Sequence, residues 1–250
     1  MRWGRRIAAW VRQLLLFVEE PAALWALAAW PKFSLTSYRM LAELRRQGIR
    51  PASIIDVGAN VGQFAVAARK IYPVARIVAF EPNHGVFQQL QRNLGGMTGI
   101  EARCTALGKH TGTLAFRVNA DSRSSSFLSL GSIHLDAFPH AREVGVEDVA
   151  VSTLDLELGE TQLADPCLLK LDVQGYESAV LEGARETLKR VQFVILETSF
   201  SPVYEGELPF AEVLKLMSGM GFDLIRPIAF LTHPGTGEIL QMDALFGRRR

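Results

Sequence analysis

The chain has 250 residues, 48% hydrophobic and 21% charged, with a formal net charge of +1. That length fits one domain of the larger kind with a modest appendage, and the composition suits a globular protein that buries a sheet on both faces. A charge so close to zero excludes a global field favouring nucleic acid. Cys104 and Cys167 lie in apolar strand-like runs and read as a pair of buried core residues, not a disulfide or a metal site. Nothing argues for secretion, so a cytoplasmic location is expected.

Residues 1–50 read as an N-terminal helical extension and residues 51–250 as the catalytic domain. Arg2, Arg5, Arg6 and Arg12 surround Trp3, Ile7, Trp10 and the run Leu14–Val18; a second apolar stretch, Ala22 to Trp30, is closed by Pro31. Neither reaches the roughly 18 apolar residues a bilayer span requires, and Arg12 and Gln13 interrupt what would be a signal-peptide core. Two roles stay open: short helices that roof the pocket of the main domain, or a helix lying on a membrane surface. A further helix is predicted at about Ser37–Gln47, with Tyr38, Leu41 and Leu44 at helical spacing and Gly48 as its stop.

From Ala52 strand and helix alternate, which predicts a parallel sheet with right-handed crossovers. Ile54–Val57 is the first strand; Asn60 is placed to cap the next helix, whose inward stripe is Val61, Phe64, Ala65, Ala68 and Ile71. Arg76–Phe80 is the second strand, and Asn83 caps a helix ending at Gly95. A third strand near Glu101–Ala106 leads through Gly108 and Gly112 to Leu114–Val118, which reads as a hairpin. Asn119–Gly145, with Ser124-Ser-Ser126, His134, Asp136 and His140, has weak periodicity and reads as a long functional loop. Strands follow near Val146–Val151, at Cys167–Leu171 and at Phe193–Leu196, with helices over Tyr176–Lys189 and Pro209–Met220. The turn His233-Pro-Gly-Thr-Gly237 pairs the last two strands, Phe222–Arg226 and Leu240–Phe246, antiparallel.

The most informative segment is Ser53-Ile-Ile-Asp-Val-Gly-Ala-Asn-Val-Gly62, followed by Ile77-Val-Ala-Phe-Glu81-Pro82. A strand, a glycine turn, a helix and a second strand ending on a carboxylate build a nucleoside site at the carboxyl ends of an open sheet. A pyrophosphate needs a second turn position without a side chain, and here that position is Asn60, followed by Val61. No Gly-Lys-Ser/Thr follows either. A nucleoside lacking phosphates but carrying a polar tail remains, and S-adenosylmethionine fits: its carboxylate can use the N–H groups of the turn and helix start, and Glu81 can accept from both ribose hydroxyls. A ligand-free strand–turn–helix and a hydride-transfer cofactor are not excluded by this segment alone.

Leu168-Leu-Lys-Leu-Asp172-Val-Gln-Gly175-Tyr-Glu177 repeats the pattern, and in a doubly wound sheet this strand lies beside the first, bringing Lys170 and Asp172 close to Gly58 and Gly62. Asp172 is the first choice of base for deprotonating a hydroxyl, with Glu177, His134 and His140 as rivals. Glu177 can equally serve the positive end of its helix. Ser124, Ser125 and Ser126 read either as ligand-binding hydroxyls or as a flexible linker. Asp172, Asp136 and Asp155 are oxygen ligands of the kind a divalent metal takes, but nothing fixes their spacing and no required metal is expected.

Ile55–Gly62, Phe80-Glu-Pro-Asn83, Ala106-Leu-Gly108 with Gly112, Ser124–Ser126, Thr153-Leu-Asp155, Leu169–Glu177, Val180-Leu-Glu-Gly-Ala184 and Asp243-Ala-Leu-Phe246 occur in this order. Together they resemble the FkbM-type family of S-adenosylmethionine-dependent methyltransferases, from about Ala52 to the C-terminus. The resemblance implies a class I methyltransferase fold: α/β, Rossmann-like and doubly wound, with a mostly parallel seven-stranded sheet whose last strand is antiparallel. It implies methyl transfer to a hydroxyl of a sugar, glycan or polyketide-like acceptor, a small molecule and not a nucleic acid. It also implies that Asp56, Gly58, Asn60 and Gly62 line the methionine end of the donor, that Glu81 takes the ribose beside Asn83, and that Ala106 and Leu107 flank the adenine. Asp172 then lies near the transferred methyl. The chain departs from the family at Gln174, where Glu is frequent, and follows it only loosely at Leu196–Phe200, so Glu197 receives no role. An NAD-type oxidoreductase, disfavoured by Asn60 and Val61, and a non-catalytic nucleoside-binding or membrane-docked relative are the competing classes.

Overall fold

The computed structural model describes residues 21–121, 124–138 and 141–249. Arg2–Val18, with the membrane-surface role read from it, and His140 as a rival base lie outside the described residues.

The centre of the fold is the strand β1 (Ser53–Val57), buried along its whole length. Its near-continuous apolar run is what a parallel strand covered on both faces requires. It pairs in parallel with β2 (Arg76–Phe80) on one side; β2 pairs in turn with β3 (Ile100–Arg103). Two further strands, β4 (Ala106–Leu107) and β5 (Gly112–Asn119), leave this sheet and join β6 (Glu143–Ser152) in a separate three-stranded one. On the other side of β1 lies β7 (Cys167–Leu171), then β8 (Phe193–Ser199). The final hairpin, β9 (Phe222–Thr232) and β10 (Ile239–Arg248), inserts β10 antiparallel between β8 and β9. The main sheet therefore runs β3-β2-β1-β7-β8-β10-β9, the mostly parallel, doubly wound class I methyltransferase order with one antiparallel strand.

Alternation along the strands divides the core in two. Ile54, Ile77, Leu168, Ile195 and Leu245 face one layer of helices; Ile55, Val78, Leu169, Val194 and Ala244 face the other. The first layer holds α1 (Pro21–Ala29), α2 (Leu35–Arg46), α3 (Gln63–Ile71) and α4 (His84–Leu94). In α2, Ser34 caps the start and Tyr38, Leu41 and Leu44 are buried. The Tyr72 hydroxyl shares its proton between the carbonyls of Leu41 and Ile49, both at 3.1 Å, fastening the middle of α2 and the segment after it to the end of α3. In the short α1 only Ala23 and Ala26 are buried, while Leu24, Trp25 and Leu27 are exposed.

Several expectations are corrected. Leu114–Val118 makes no hairpin with the third strand: β5 pairs antiparallel with β6, and β4 adds to the other edge of β6. The long loop is not structureless, for it carries α5 (Ser132–Ala137), pinned by Gly131 N–H to the Val203 carbonyl and by His233 to Asp136 at 3.3 Å. The helix expected over Tyr176–Lys189 is two, α7 (Glu177–Glu182) and α8 (Arg185–Leu188), after the short α6 (Leu154–Leu158). Asp155 causes the break, its carboxylate accepting from the Glu186 and Thr187 N–H groups at 3.0 and 2.7 Å and so capping α8 separately. The remaining helix, α9 (Phe210–Gly219), matches its expected span. Cys167 is buried but Cys104 is exposed, so the two do not form a core pair. Asn60 does not cap α3; Gly62 stands at that position, while Asn60 accepts from Val61 N–H inside the turn.

Candidate active site

A cleft of about 640 Å³ opens at the carboxyl ends of β1, β2, β7 and β8, closed by the start of α2 and by the β9–β10 hairpin. Of the residues expected at the donor site, Gly58, Asn60, Glu81, Ala106 and Leu107 line it. Two strand–turn–helix units meet on its floor. In the first, Gly58 has φ +80°, and a Cβ there would stand 1.8 Å from the carbonyl oxygen of Asp172. Gly58 is thus required by the contact between the two turns as much as by its own backbone.

The N–H groups of that turn are already engaged. Gly58 and Ala59 donate to Phe80 O, Asn60 donates to Glu81 Oε2 at 2.9 Å, Val61 to Asn60 Oδ1, and Gly62 to Ala59 O. Contrary to expectation, the turn offers a ligand carboxylate no N–H of its own. The nearest backbone donors are those of the first turn of α3, which have no partner within a helix and start at the cleft residues Gln63 and Phe64. Gly62 is a packing position: its φ is +92° and Leu90 fills the space a side chain would need. Glu81 also accepts from Asn83 N–H at 2.9 Å, and Asn83 itself caps α4 through Val86 N–H. Burial pushes the Glu81 carboxyl up to about 7 against these two hydrogen bonds, with Asp56 and Asp172 raising it further.

Asp56 does not line the cleft. It is fully buried one position before the end of β1, opposite Lys170 in the register with β7, and its carboxylate lies 3.4 Å from Lys170 Nζ. Burial raises its carboxyl, and Lys170 opposes that rise. Lys170 is buried too, and stands 3.1 Å from Asp172 Oδ2 and 5.3 Å from the Phe64 ring centre. Burial works against its charge, but Asp172 and Asp56 outweigh burial and hold the ammonium above the ordinary lysine range. A buried cation between two carboxylates fixes the relative height of β1 and β7 at the site.

The second turn is built from side chains. Asp172, with 37% of its side chain exposed, accepts from Lys170 Nζ and, at 2.7 Å, from Gln174 Nε2. The same amide nitrogen donates to Glu197 Oε2 at 2.9 Å, and the amide oxygen accepts from the Tyr204 hydroxyl at 2.6 Å. Gln174 has φ +58°, and its carbonyl accepts from Ser126 Oγ at 2.7 Å. The three serines are therefore no loose linker: Ser126 ties the turn down, Ser125 Oγ accepts from Asn119 N–H, and the Ser124 carbonyl accepts from Asn119 and Tyr204. His134 is buried among Phe138 and Tyr204, with ring centres at 5.2 and 5.6 Å, and lines the cleft.

Glu177 leaves the set of candidate bases. It is buried outside the cleft lining, and its Oε1 accepts from Val173 N–H at 2.8 Å, closing the turn from behind. Burial pushes it up to about 8. Two carboxylates that received no role in the sequence do enter the cleft. Glu197, at the end of β8, is raised well above the usual range by burial and then by Asp172 and Asp243. Asp243, its register partner on β10, is pushed up to about 7 by burial and Asp172, with Lys170 opposing. Asp243 could have been found from its place in the closing Asp243–Phe246 motif; Glu197 gave no such signal. The oxygens considered for a metal diverge, for Asp136 pairs with His233 and Asp155 caps α8.

The arrangement suits S-adenosylmethionine. A buried carboxylate just past the second strand faces the cleft for a ribose, an apolar pair on β4 stands by for a base, and Asn60 puts a side chain at the turn position that a pyrophosphate site leaves bare.

Known proteins agree. The methyltransferase FkbM domain matches residues 56–224. The 2-O-methyltransferase NoeI of Sinorhizobium fredii is 29% identical over 201 residues, covering 78% of this chain and 81% of that protein. Methyltransferase 1 of Beauveria bassiana is 30% identical over 70% of this chain and 74% of its own length. The hexuronic acid methyltransferase AglP of Haloferax volcanii is 30% identical over 65% of this chain and 60% of its own. The sheet order, the cleft and these relatives converge: the chain belongs to the FkbM methyltransferase family and is an S-adenosylmethionine-dependent methyltransferase.

Proposed function

We propose that the chain methylates a hydroxyl group of a sugar, glycan or polyketide-like acceptor, with Asp172 taking the proton. The observation that carries this is the state of Asp172. It lies at the carboxyl end of a central strand, is partly open to the cleft, and is oriented by Lys170 on one oxygen and Gln174 on the other. When bound, S-adenosylmethionine supplies a methyl group on a cationic sulfur that departs as a neutral thioether. The protein's task is then mainly alignment, which is worth ~7–11 kcal/mol of a barrier when reacting groups are well placed.

Within this reading Glu81 accepts from the ribose hydroxyls, Ala106 and Leu107 pack on the base, and the first turn of α3 meets the donor carboxylate. Asp172 accepts the acceptor's proton as the new C–O bond forms, general-base assistance of the kind worth about 10²–10⁴ in rate. Lys170 pairs with Asp172 and orients it, while the other side of the ammonium faces Asp56. The names 2-O-methyltransferase and hexuronic acid methyltransferase carried by two relatives support oxygen as the target and a sugar as the acceptor class.

The test is methyl transfer from S-adenosylmethionine to a panel of methyl glycosides and polyketide-type alcohols, followed as S-adenosylhomocysteine release. Product with at least one hydroxyl acceptor is expected. Tight S-adenosylhomocysteine binding with no hydroxyl methylated anywhere in the panel would overturn the acceptor class.

A further inference from the structure

Beyond Asp172 the cleft continues along β8, β10 and β9 beneath the start of α2, and no role for this stretch has yet been given. Because β10 runs antiparallel to its neighbours, its first residues lie at the carboxyl edge of the sheet where the parallel strands end. Gln241 and Asp243 sit two apart on it and share the face that carries Asp56 and Lys170. Gln241 is 2% exposed, lines the cleft, and its side-chain amide nitrogen has no hydrogen-bond partner among the described residues. Leaving an amide N–H group buried and unbonded is costly, and β-sheet pairing does not require a glutamine at this place.

The groups around that amide have a consistent chemistry. Asp243 and its register partner Glu197 offer carboxyl oxygens, and Ser37 on α2 and the half-exposed Phe230 on β9 line the same cleft. A pyranose ring meets all of these at once, since its hydroxyls both donate and accept while its C–H face packs on an aromatic ring. An isolated alcohol on an apolar skeleton satisfies one polar group and leaves the others buried without partners. A uronic acid adds one more acidic group to a cleft end already lined by three, Asp172, Glu197 and Asp243.

We propose that Gln241 is a specificity-determining residue of an acceptor subsite on β10 that takes an uncharged, polyhydroxylated sugar ring, donating from its amide to an oxygen of that ring. This rests on the reading of Asp172 as the base for a hydroxyl acceptor and narrows its acceptor class.

The full chain is assayed with methyl pyranosides of neutral hexoses and with their matched uronic acids. Neutral glycosides should be methylated, with kcat/KM for the matched uronates at least about tenfold lower. Gln241→Met should raise KM for the best neutral glycoside about five- to tenfold, leave kcat within about threefold, and leave S-adenosylhomocysteine affinity within about twofold. Gln241→Leu, of similar size and likewise without a donor, should behave like Gln241→Met, and thermal unfolding checks that both fold. An unchanged KM in both variants, on a glycoside the wild type methylates, overturns the role of Gln241 while leaving the hydroxyl acceptor intact. Preference for uronates overturns the neutral-ring assignment. Methylation of no pyranoside, with alcohols accepted, removes the sugar subsite; methylation of neither removes the acceptor reading beneath it.

Discussion

The two turns at the centre of the sheet solve the same problem with different materials. Each follows a central strand and leads toward a helix, and each has a glutamate accepting a turn N–H: Glu81 from Asn60 and Glu177 from Val173. The first turn is held largely by its backbone, with Gly58, Asn60 and Gly62 all at positive φ and the Gly58 and Ala59 N–H groups bonded to the Phe80 carbonyl. The second is held by side chains, with Gln174 bridging Asp172, Glu197 and Tyr204. The difference teaches that the two glutamates, alike in bonding, part in function because Glu81 opens on the cleft and Glu177 stands behind its turn. A backbone-built turn presents a fixed surface to a constant nucleoside, whereas a side-chain-built turn is the one in which acceptor chemistry can vary.

Breaking the contact between the turns should have the largest effect. Gly58→Ala places a methyl group within 1.8 Å of Asp172 O at a φ of +80°, and should cost about 4 kcal/mol or more of stability. Thermal unfolding with and without S-adenosylhomocysteine measures it, and a stable variant with unaltered donor affinity would show that the turns are not packed as described. Next, Asp172→Asn should lower turnover about 10²–10⁴-fold while donor affinity stays within a few-fold. Turnover close to wild type would transfer the base to another group.

The glutamates sharpen the comparison further. Glu81→Gln, which still accepts from the turn, should weaken donor binding by ~1.5–3 kcal/mol, the worth of hydrogen bonds to a charged group. With the Glu81 carboxyl raised to about 7, wild-type donor affinity should rise with pH through that value, and the variant should lose this dependence. Calorimetry at pH 6 and 8 decides it. For Glu177, the folded carboxyl at about 8 lies above its usual 4.5, so the folded state binds more protons than the unfolded one between those values. Its contribution to stability is complete below about 4.5 and is lost as pH rises through about 8. Glu177→Gln should therefore flatten the fall in Tm between pH 5 and 8 by on the order of a few degrees, with little change in turnover; an unaltered slope would place its carboxyl elsewhere.

Much of the fold was legible because the pattern is local. The buried runs at Ser53–Val57, Arg76–Phe80 and Cys167–Leu171, the capping residue Asn83 and the turn before β10 each follow from a few adjacent side chains. The turn at His233–Gly237 pointed to the antiparallel last pair, Asn60, Val61 and Glu81 pointed to the donor, and the resemblance added the seven-stranded order and the class of acceptor. The pairing of β5 was misread because two glycines after a strand suggest a hairpin, while its real partner lies across a long insertion at Glu143–Ser152. Cys104 sits in an apolar run yet is exposed, since β3 lies at the sheet edge where half-buried positions are ordinary.

The sequence by itself determined the strand–turn–helix frame around Gly58 and Glu81: glycine at a turn, a carboxylate at the end of the next strand and apolar strands between them are short-range requirements of chain geometry. Only the tertiary structure decided the far end of the cleft, where the acceptor is proposed to bind. There Lys170, Glu197, Gln241 and Asp243 come from three different strands, and the antiparallel insertion of β10 brings the start of its own strand to the edge where the others finish. That proximity arises from sheet register across more than 70 residues of intervening chain, a relation no local pattern encodes. It also turned Asp56 from an expected ligand contact into the buried counter-charge of Lys170, because two adjacent strands placed them opposite each other.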